Sequence, residues 1–473
     1  MFEPAQLPTW KAGTKQPVQS IENVIVNSNT TAPNLYEFDL ISSNAVIFGP
    51  QTGFWVEGTF EAKADAAAAD ATFAPVLAPD FSKVRLMPNW FQHLIQKISV
   101  FHLNSQINCN DEAPFVNNYV NTFLMTFMHS HMKKGVAAHQ CHPGNGTPNY
   151  AFKWTTEAGT DWEKYSKRVF TGKDVKFLFI PLDVFPFFQS ANFTLDKKFQ
   201  NPLMMSNLGK LIIRMQMKEK TDHIFRKEVG NNRIYRFKIN VLKLVFQEAR
   251  LSPLVERQML SSKKPFYFPG VTRIGFAENI TEGVLNHRMQ ITNVTYPEGL
   301  FIFCLNKKVS TGQETYTELA DTIFAVNKIT DVDISFNGMP LALKSPTFSD
   351  ASHDLVELRN FHDLLERGPF GMHLDSAKFS LEAMADSAKS MMYPHVYISL
   401  SPLGEGSRYI PIGDNGESLG KHGTLDLIIR FEAGEGCPQN VQFYVYLWHS
   451  DVAYVLDPKT RSFSNFYNRL QTR

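Results

Sequence analysis

The sequence predicts an all-β protein in which one sandwich-forming unit is repeated in tandem, with short helices in the connecting loops. Three observations predict it: an excess of aromatic residues, two series of strand and turn signals in the same order, and inward–outward alternation in the later strands of each series. Length sets the scale, because 473 residues suit two large β domains. Aromatic residues make up 13% of the chain, and 39 of them are Phe. Such side chains suit pleated, half-buried surfaces and supply the flat groups that large interfaces use.

The series begins with Ile98-Ser99-Val100 and a turn at Leu103-Asn104-Ser105 in the first half. In the second half Val332-Asp333-Ile334-Ser335-Phe336 alternates and ends at Asn337-Gly338, a strong hairpin signal. A helix-like segment follows each. Pro114 opens one in which Phe115, Tyr119, Phe123 and Phe127 recur every four residues. Leu355, Leu358, Phe361 and Leu365 stripe the other, which stops at Gly368-Pro369. Next come apolar runs closed by proline, at 175–181 and 396–402. Glycine-led alternating strands follow, with Leu211, Ile213, Met215 and Met217 on one face of the first and Leu425, Leu427, Ile429 and Phe431 on one face of the second. Each half closes on another strand, at 237–241 and 441–447.

The separation between counterparts shrinks along the chain while their order holds, as longer loops in the first half would produce. About eight strands per unit over roughly 200 residues suit a jelly roll, whose two facing sheets bury alternate side chains. The expected fold is therefore two tandem eight-stranded jelly rolls, a double jelly roll. Its expected divisions are an N-terminal arm (1–40), a first jelly roll (41–252), a linker (253–270) and a second jelly roll (271–473). Ser252-Pro253 and Lys263-Lys264-Pro265 mark the junction around a helix-like 254–260, and the Ala-rich stretch 64–71 reads as a loop insertion.

Composition narrows the function. Net charge is +1, and the first forty residues hold only Lys11 and Lys15 beside four acids. That is no basic arm of the kind that neutralises phosphates, so direct sequence-specific nucleic-acid binding is not expected. Four cysteines (Cys109, Cys141, Cys304, Cys437) are too few for a disulfide scaffold. The start Met1-Phe2-Glu3-Pro4-Ala5 lacks a signal-peptide pattern, and no apolar run approaches the ~18–20 residues of a membrane span. Without a secretory signal, the sequons at Asn29, Asn145, Asn192, Asn279 and Asn293 carry little weight. The expectation is a soluble chain, intracellular at synthesis.

Signals of chemistry are sparse. His129, His131, His139, Cys141 and His142 are metal ligands by type and lie close in sequence. A His-x-His pair on a jelly roll is also a cupin feature, so the alternative function is a two-cupin-like metalloenzyme, or a β-sandwich carbohydrate-binding protein. The cupin pattern needs an acid three or four residues on, where Lys134 and Gly135 stand instead. A polar loop after a helix explains the cluster more simply. The run Gly413-Asp414-Asn415-Gly416 to Gly420-Lys421-His422 has the wrong spacing for a phosphate loop and places His422 where Ser or Thr would bind magnesium. There is no Gly-x-Ser-x-Gly elbow. Asp174 and Asp183 read as solvated carboxylates, Arg226-Lys227 and Lys263-Lys264 as short basic spots, and Met204-Met205 and Met391-Met392 as packing or interface residues. No residue is assigned as catalytic, cofactor-binding or metal-ligating, and the chain is not expected to be an enzyme.

The segment from Pro88-Asn89-Trp90-Phe91-Gln92-His93-Leu94 through Ile98-Ser99-Val100-Phe101-His102-Leu103-Asn104-Ser105 resembles the hexon-like major capsid proteins of the Polinton/Maverick, adintovirus and virophage type. In that family the strand ends in Leu-Asn-Gly, and Ser105 takes the place of the glycine here. A Tyr-Pro-Tyr helix entry follows, echoed by Ala113-Pro114-Phe115 and Tyr119. Residues 237–246, Leu251-Ser252-Pro253 and 254–260 look like the family's link between barrels, and Lys264-Pro265-Phe266-Tyr267-Phe268-Pro269 like its entry into the second. The resemblance is good over roughly residues 85–285. It implies a structural protein whose homotrimer forms a pseudo-hexagonal capsomer of an icosahedral shell, located in the virion and assembled in the host cell. It further implies contacts between capsomers and with penton and minor capsid proteins, and leaves an inner membrane open. The polar connections 137–159 and 345–352 are candidates for an outer tower.

Overall fold

In the computed structural model, residues 18–42, 45–47, 53–63, 72–76, 84–86, 90–102, 105–106, 175–179, 203–204, 209–219, 221, 224–227, 232–254, 256–257, 266–294, 297–306, 324–325, 328–340, 348–349, 352–353, 395–399, 423–457 and 462–467 are described. Among the described residues, eight strands carry the thread of the first unit, beside shorter pairings: β1 (Val18–Asn27), β2 (Leu35–Ile41), β3 (Gly53–Lys63), β4 (Ile95–His102), β5 (Ser105–Gln106), β6 (Val175–Phe179), β7 (Lys210–Met217) and β8 (Ile234–Leu251). Eight more form the second: β9 (Phe266–Glu278), β10 (Asn286–Val294), β11 (Pro297–Asn306), β12 (Ile329–Phe336), β13 (Met339–Pro340), β14 (His395–Ser399), β15 (Gly423–Phe431) and β16 (Val441–Asp457).

The thread is the same in both. In the first unit β1-β8-β3-β6 make a long-strand sheet and β2-β7-β4-β5 a short-strand sheet. In the second, β9-β16-β11-β14 and β10-β15-β12-β13 repeat that order. All these pairs are antiparallel, and this is the jelly-roll connectivity. Even the register recurs. Ile213 lies opposite Phe38 and Val100, as Leu427 lies opposite Met289 and Ile334. Met215 lies opposite Tyr36 and Ile98, as Ile429 lies opposite His287 and Val332.

Alternation drives the sandwich. In β7 Leu211, Ile213, Met215 and Met217 are buried while Ile212 and Arg214 are half-exposed, and β15 buries every second residue from Gly423 to Phe431. A one-residue slip would put each of these apolar sets on the wrong face, so the register is strongly specified. The turn after β12 has Asn337 at φ 51° and Gly338 at φ 80°. Two left-handed residues in succession make the hairpin turn that strand twist favours, and Asn-Gly tolerates both.

The two cores differ in chemistry. Trp90 and Phe91, on the short helix α1 (Trp90–Leu94), anchor the first. Ring centroids lie 5.3 Å from Trp90 to Phe60, 5.5 Å to Phe177, 5.0 Å to Phe237, and 4.9 Å from Phe91 to Phe179. Tilted and edge-on pairs of this kind add about 0.5–1.5 kcal/mol each beyond area burial. The second core is mostly aliphatic, with Leu300, Ile302, Val332, Leu425, Leu427, Ile429, Val445 and Leu447 all fully buried.

Two stretches of paired strand fall across the expected divisions. Residues 18–32 and most of β2 lie within the expected arm of 1–40, yet they belong to the sheets: β1 pairs with β8 from Val18 to Asn27, and Asn29–Ala32 pairs with β2. The contiguous Val24-Ile25-Val26 hides the alternation there, because an edge strand with a single neighbour leaves its apolar residues half-exposed. Likewise β9 begins at Phe266, inside the expected linker. Pro269 sits opposite Ala453 just before a bulge between Gly270 and Thr272, a place where a strand accepts proline. The helix-like segments at 114–127 and 355–365 lie outside the described residues.

Candidate assembly surfaces

Each sheet has an inner face in the core and an outer face turned away from it. On the first short sheet, Arg214 stands between neighbouring strands. Its guanidinium pairs with Glu37 and lies 4.5 Å from the Phe101 ring, and Lys210 reaches Asp39 at 2.8 Å. Ile41 is 61% exposed on the same sheet. On the second short sheet, Arg430 pairs with both Asp331 and Asp333, which hold its pKa above the usual guanidinium value, Asp333 contributing most. Asp426 accepts from Gln290 at 3.0 Å and faces Arg288 at 3.4 Å. Cross-strand ion pairs this exposed are worth at most about 1 kcal/mol each. They make these faces polar and orderly more than stable.

The long sheets differ more. On the first, Ile25 lies opposite Val245, and Lys243 lies opposite Trp55, which lies opposite Leu178. Trp55 Nε1 donates to Glu57 Oε1 at 2.9 Å, and Lys176 Nζ lies 2.9 Å from Glu57 Oε2. The indole donor, then the lysine, hold the Glu57 carboxyl below its ordinary pKa. On the second, Phe303, Leu305, Tyr444 and Tyr446 alternate with the core residues of β11 and β16, so they point outward, yet all are buried. Phe303 and Tyr444 stack with centroids 5.4 Å apart.

A clasp closes one end of the second barrel. Gly283 N donates to Cys437 O and Cys437 N to Val284 O, each at 3.0 Å, while Asn440 N donates to Glu282 Oε1 at 3.1 Å. Gly436 has φ 68°, and a Cβ there would meet Gly283 O at 2.5 Å, so the two loops approach too closely for any side chain. Lys328 ties in the next connection through Glu432 at 3.2 Å and Glu435 at 3.0 Å. Its pKa is raised, chiefly by Glu435. Strands alternate in direction through a jelly roll, so the connections after β1, β3, β5 and β7 leave from one end, as do those after β9, β11, β13 and β15. The three longest connections, 64–94, 107–174 and 341–394, all belong to that end of their barrels.

Few of the residues singled out for chemistry lie among the described residues. His129, His131, His139, Cys141, His142, Asp174, Asp183, Lys263, Lys264 and the run 413–422 lie outside the described residues. Met204 sits in a short strand paired with Ala45, and Arg226 and Lys227 in one paired with 84–86. The connection 345–352 carries a small pairing of Phe348 with His353 and Ser349 with Ser352. Cys304 and Cys437 are buried cysteines. Among the described residues, no group of three or more His, Cys, Asp or Glu is placed to hold a metal, and no helix is long and apolar enough to cross a membrane. The paired outer faces were missed in the sequence because they become visible only once strand order is known.

No protein-family profile matches the sequence, and no curated protein matches it. Known structures do match the fold. A chain of the Sputnik virophage superposes with a TM-score of 0.56 at 10% identity, over 98% of this chain and 91% of that one. The mavirus major capsid protein gives 0.51 at 11% identity, over 98% and 93%. A chain of the PBCV-1 virus capsid gives 0.50 at 9% identity, over 96% and 99%. The chain thus has the double jelly-roll fold of these structures over nearly its whole length.

Proposed function

We propose that the chain is a viral major capsid protein: a structural, non-catalytic subunit whose homotrimer is a pseudo-hexagonal capsomer of an icosahedral shell. One observation carries the reading. A single chain holds two barrels of the same thread and register, so three copies supply six like barrels, which is what a six-cornered tile requires. The likeness of the whole fold to the mavirus major capsid protein and to a PBCV-1 capsid chain supports it. Closed assembly also answers a physical need, since outer faces and sheet edges left bare invite uncontrolled pairing.

On this proposal residues up to 251 form one barrel domain, residues from 266 the other, and 252–265 the linker. The end that carries the three longest connections faces outward, and both tower candidates, 137–159 and 345–352, lie in connections of that end. The chain resides in the virion and meets further capsomers, a penton protein and minor capsid proteins. Light scattering on the purified chain tests the proposal. A trimer at micromolar concentration is expected, and a species that stays monomeric or dimeric contradicts it.

A further inference from the structure

The two long sheets share a thread but not an environment. In the second barrel the outer face is covered within a single chain: Phe303 is 1% exposed, Leu305 0%, Tyr444 4% and Tyr446 0%. In the first barrel the same face stays open. Ile25 is 60% exposed beside half-buried Val245, and Trp55 and Leu178 are half-buried in the adjacent row. Lys176, Lys243 and Glu57 frame this apolar patch, the composition of an interface centre with a polar rim.

Ring geometry connects the two observations. When like barrels close into a ring by head-to-tail contacts, the same faces meet at every junction. Half of the junctions in a three-copy, six-barrel tile lie inside chains and half lie between them. A face already covered on the second barrel of an isolated chain is then the face that stays open on the first barrel until another chain arrives. We propose that the outer face of β1-β8-β3-β6, centred on Ile25 and Val245, is the surface that receives a second copy of this chain. The proposal rests on the trimeric capsid reading and adds to it the place of contact.

Sedimentation of the full chain over a micromolar concentration series tests it, comparing the unaltered protein with Ile25→Asp, Val245→Asp and a control, Leu285→Asp. Leu285 is 47% exposed but lies in the loop clasp of the second barrel, outside the strands of either long sheet. The first two variants are expected to weaken association at least about tenfold, the loss of an interface anchor, while the control associates normally. Unaltered protein that never trimerises overturns the capsid reading itself. A trimer that Ile25→Asp and Val245→Asp leave intact overturns only this surface. Maleimide labelling of Ile25→Cys, a milder change, gives a second readout independent of those variants' folding. Rapid labelling in dilute monomer and protection in the trimer is expected. Protection already in the monomer would show that the chain covers its own face, and equal labelling in both states would show that nothing does; either overturns the proposal.

Discussion

The two barrels make a natural comparison, because they share strand order and short-sheet register but almost nothing else. The first is anchored by Trp90, Phe91, Phe60, Phe177 and Phe237, the second mostly by Leu, Ile and Val. Two different sets of apolar shapes therefore support one thread. Alternation and turn position decide the path of the chain, and jigsaw packing decides only how firmly it is held. Their outer faces have diverged further than their cores. Mixed charge and half-exposed apolar groups cover the first long sheet, where the second carries aromatic groups sealed from water.

The largest effect should come from breaking that sealed face. Phe303→Ala or Tyr446→Ala removes a buried aromatic and should cost about 3–5 kcal/mol in urea unfolding, whereas Lys243→Ala on the open face of the first barrel should stay within about 0.5 kcal/mol. Equal losses at all three would erase the difference between the faces. Next in size is a pair that sharpens the likeness. Ile213→Ala and Leu427→Ala occupy the same register and should each cost about 2–5 kcal/mol in the same assay, since both lie fully inside. A negligible cost at one of them would mean that the barrels are not packed alike.

A smaller effect distinguishes the short sheets. Arg430→Ala breaks two exposed ion pairs and Arg214→Ala one pair plus an aromatic contact, and each should cost below about 1 kcal/mol. High salt should shrink the Arg430 effect more, because the Phe101 contact of Arg214 is less screened. The smallest effect concerns pH. Glu57 has a folded pKa below its ordinary value, so its contribution is present above the usual carboxylate range and is lost as pH falls through the lowered value. Glu57→Gln should therefore lower stability slightly at neutral pH and flatten the acid side of the profile, the difference fading as pH falls through the lowered value. A difference that persists unchanged in acid would mean that Glu57 acts through packing instead.

Much of the thread was legible in the residues. The strands β7 and β15 announce themselves by alternation, β12 by alternation plus Asn337-Gly338, and β6 and β14 by short apolar runs ended by proline. The order of these elements in both halves is what pointed to a duplicated barrel. Elements at sheet edges were harder. In β1, Val24, Ile25 and Val26 are all apolar because one face meets the core and the other is the open patch, so no period stands out. In β9, Pro269 and Gly270 signal a linker, although a bulged edge strand tolerates them. Strand β8 runs ten residues past its recognisable stretch at 237–241, its pattern broken by the bulge between Ile239 and Val241. The surfaces were hardest of all, since Ile25 and Val245 are 220 residues apart and meet only through pairing that no local pattern encodes.

Electron microscopy of the purified chain tests the central claim most directly, that two like barrels per chain exist to tile. Three-fold particles with six barrel densities around a pseudo-hexagonal outline are expected. Particles with two barrels and no three-fold axis, at concentrations where capsid subunits would associate, would contradict it.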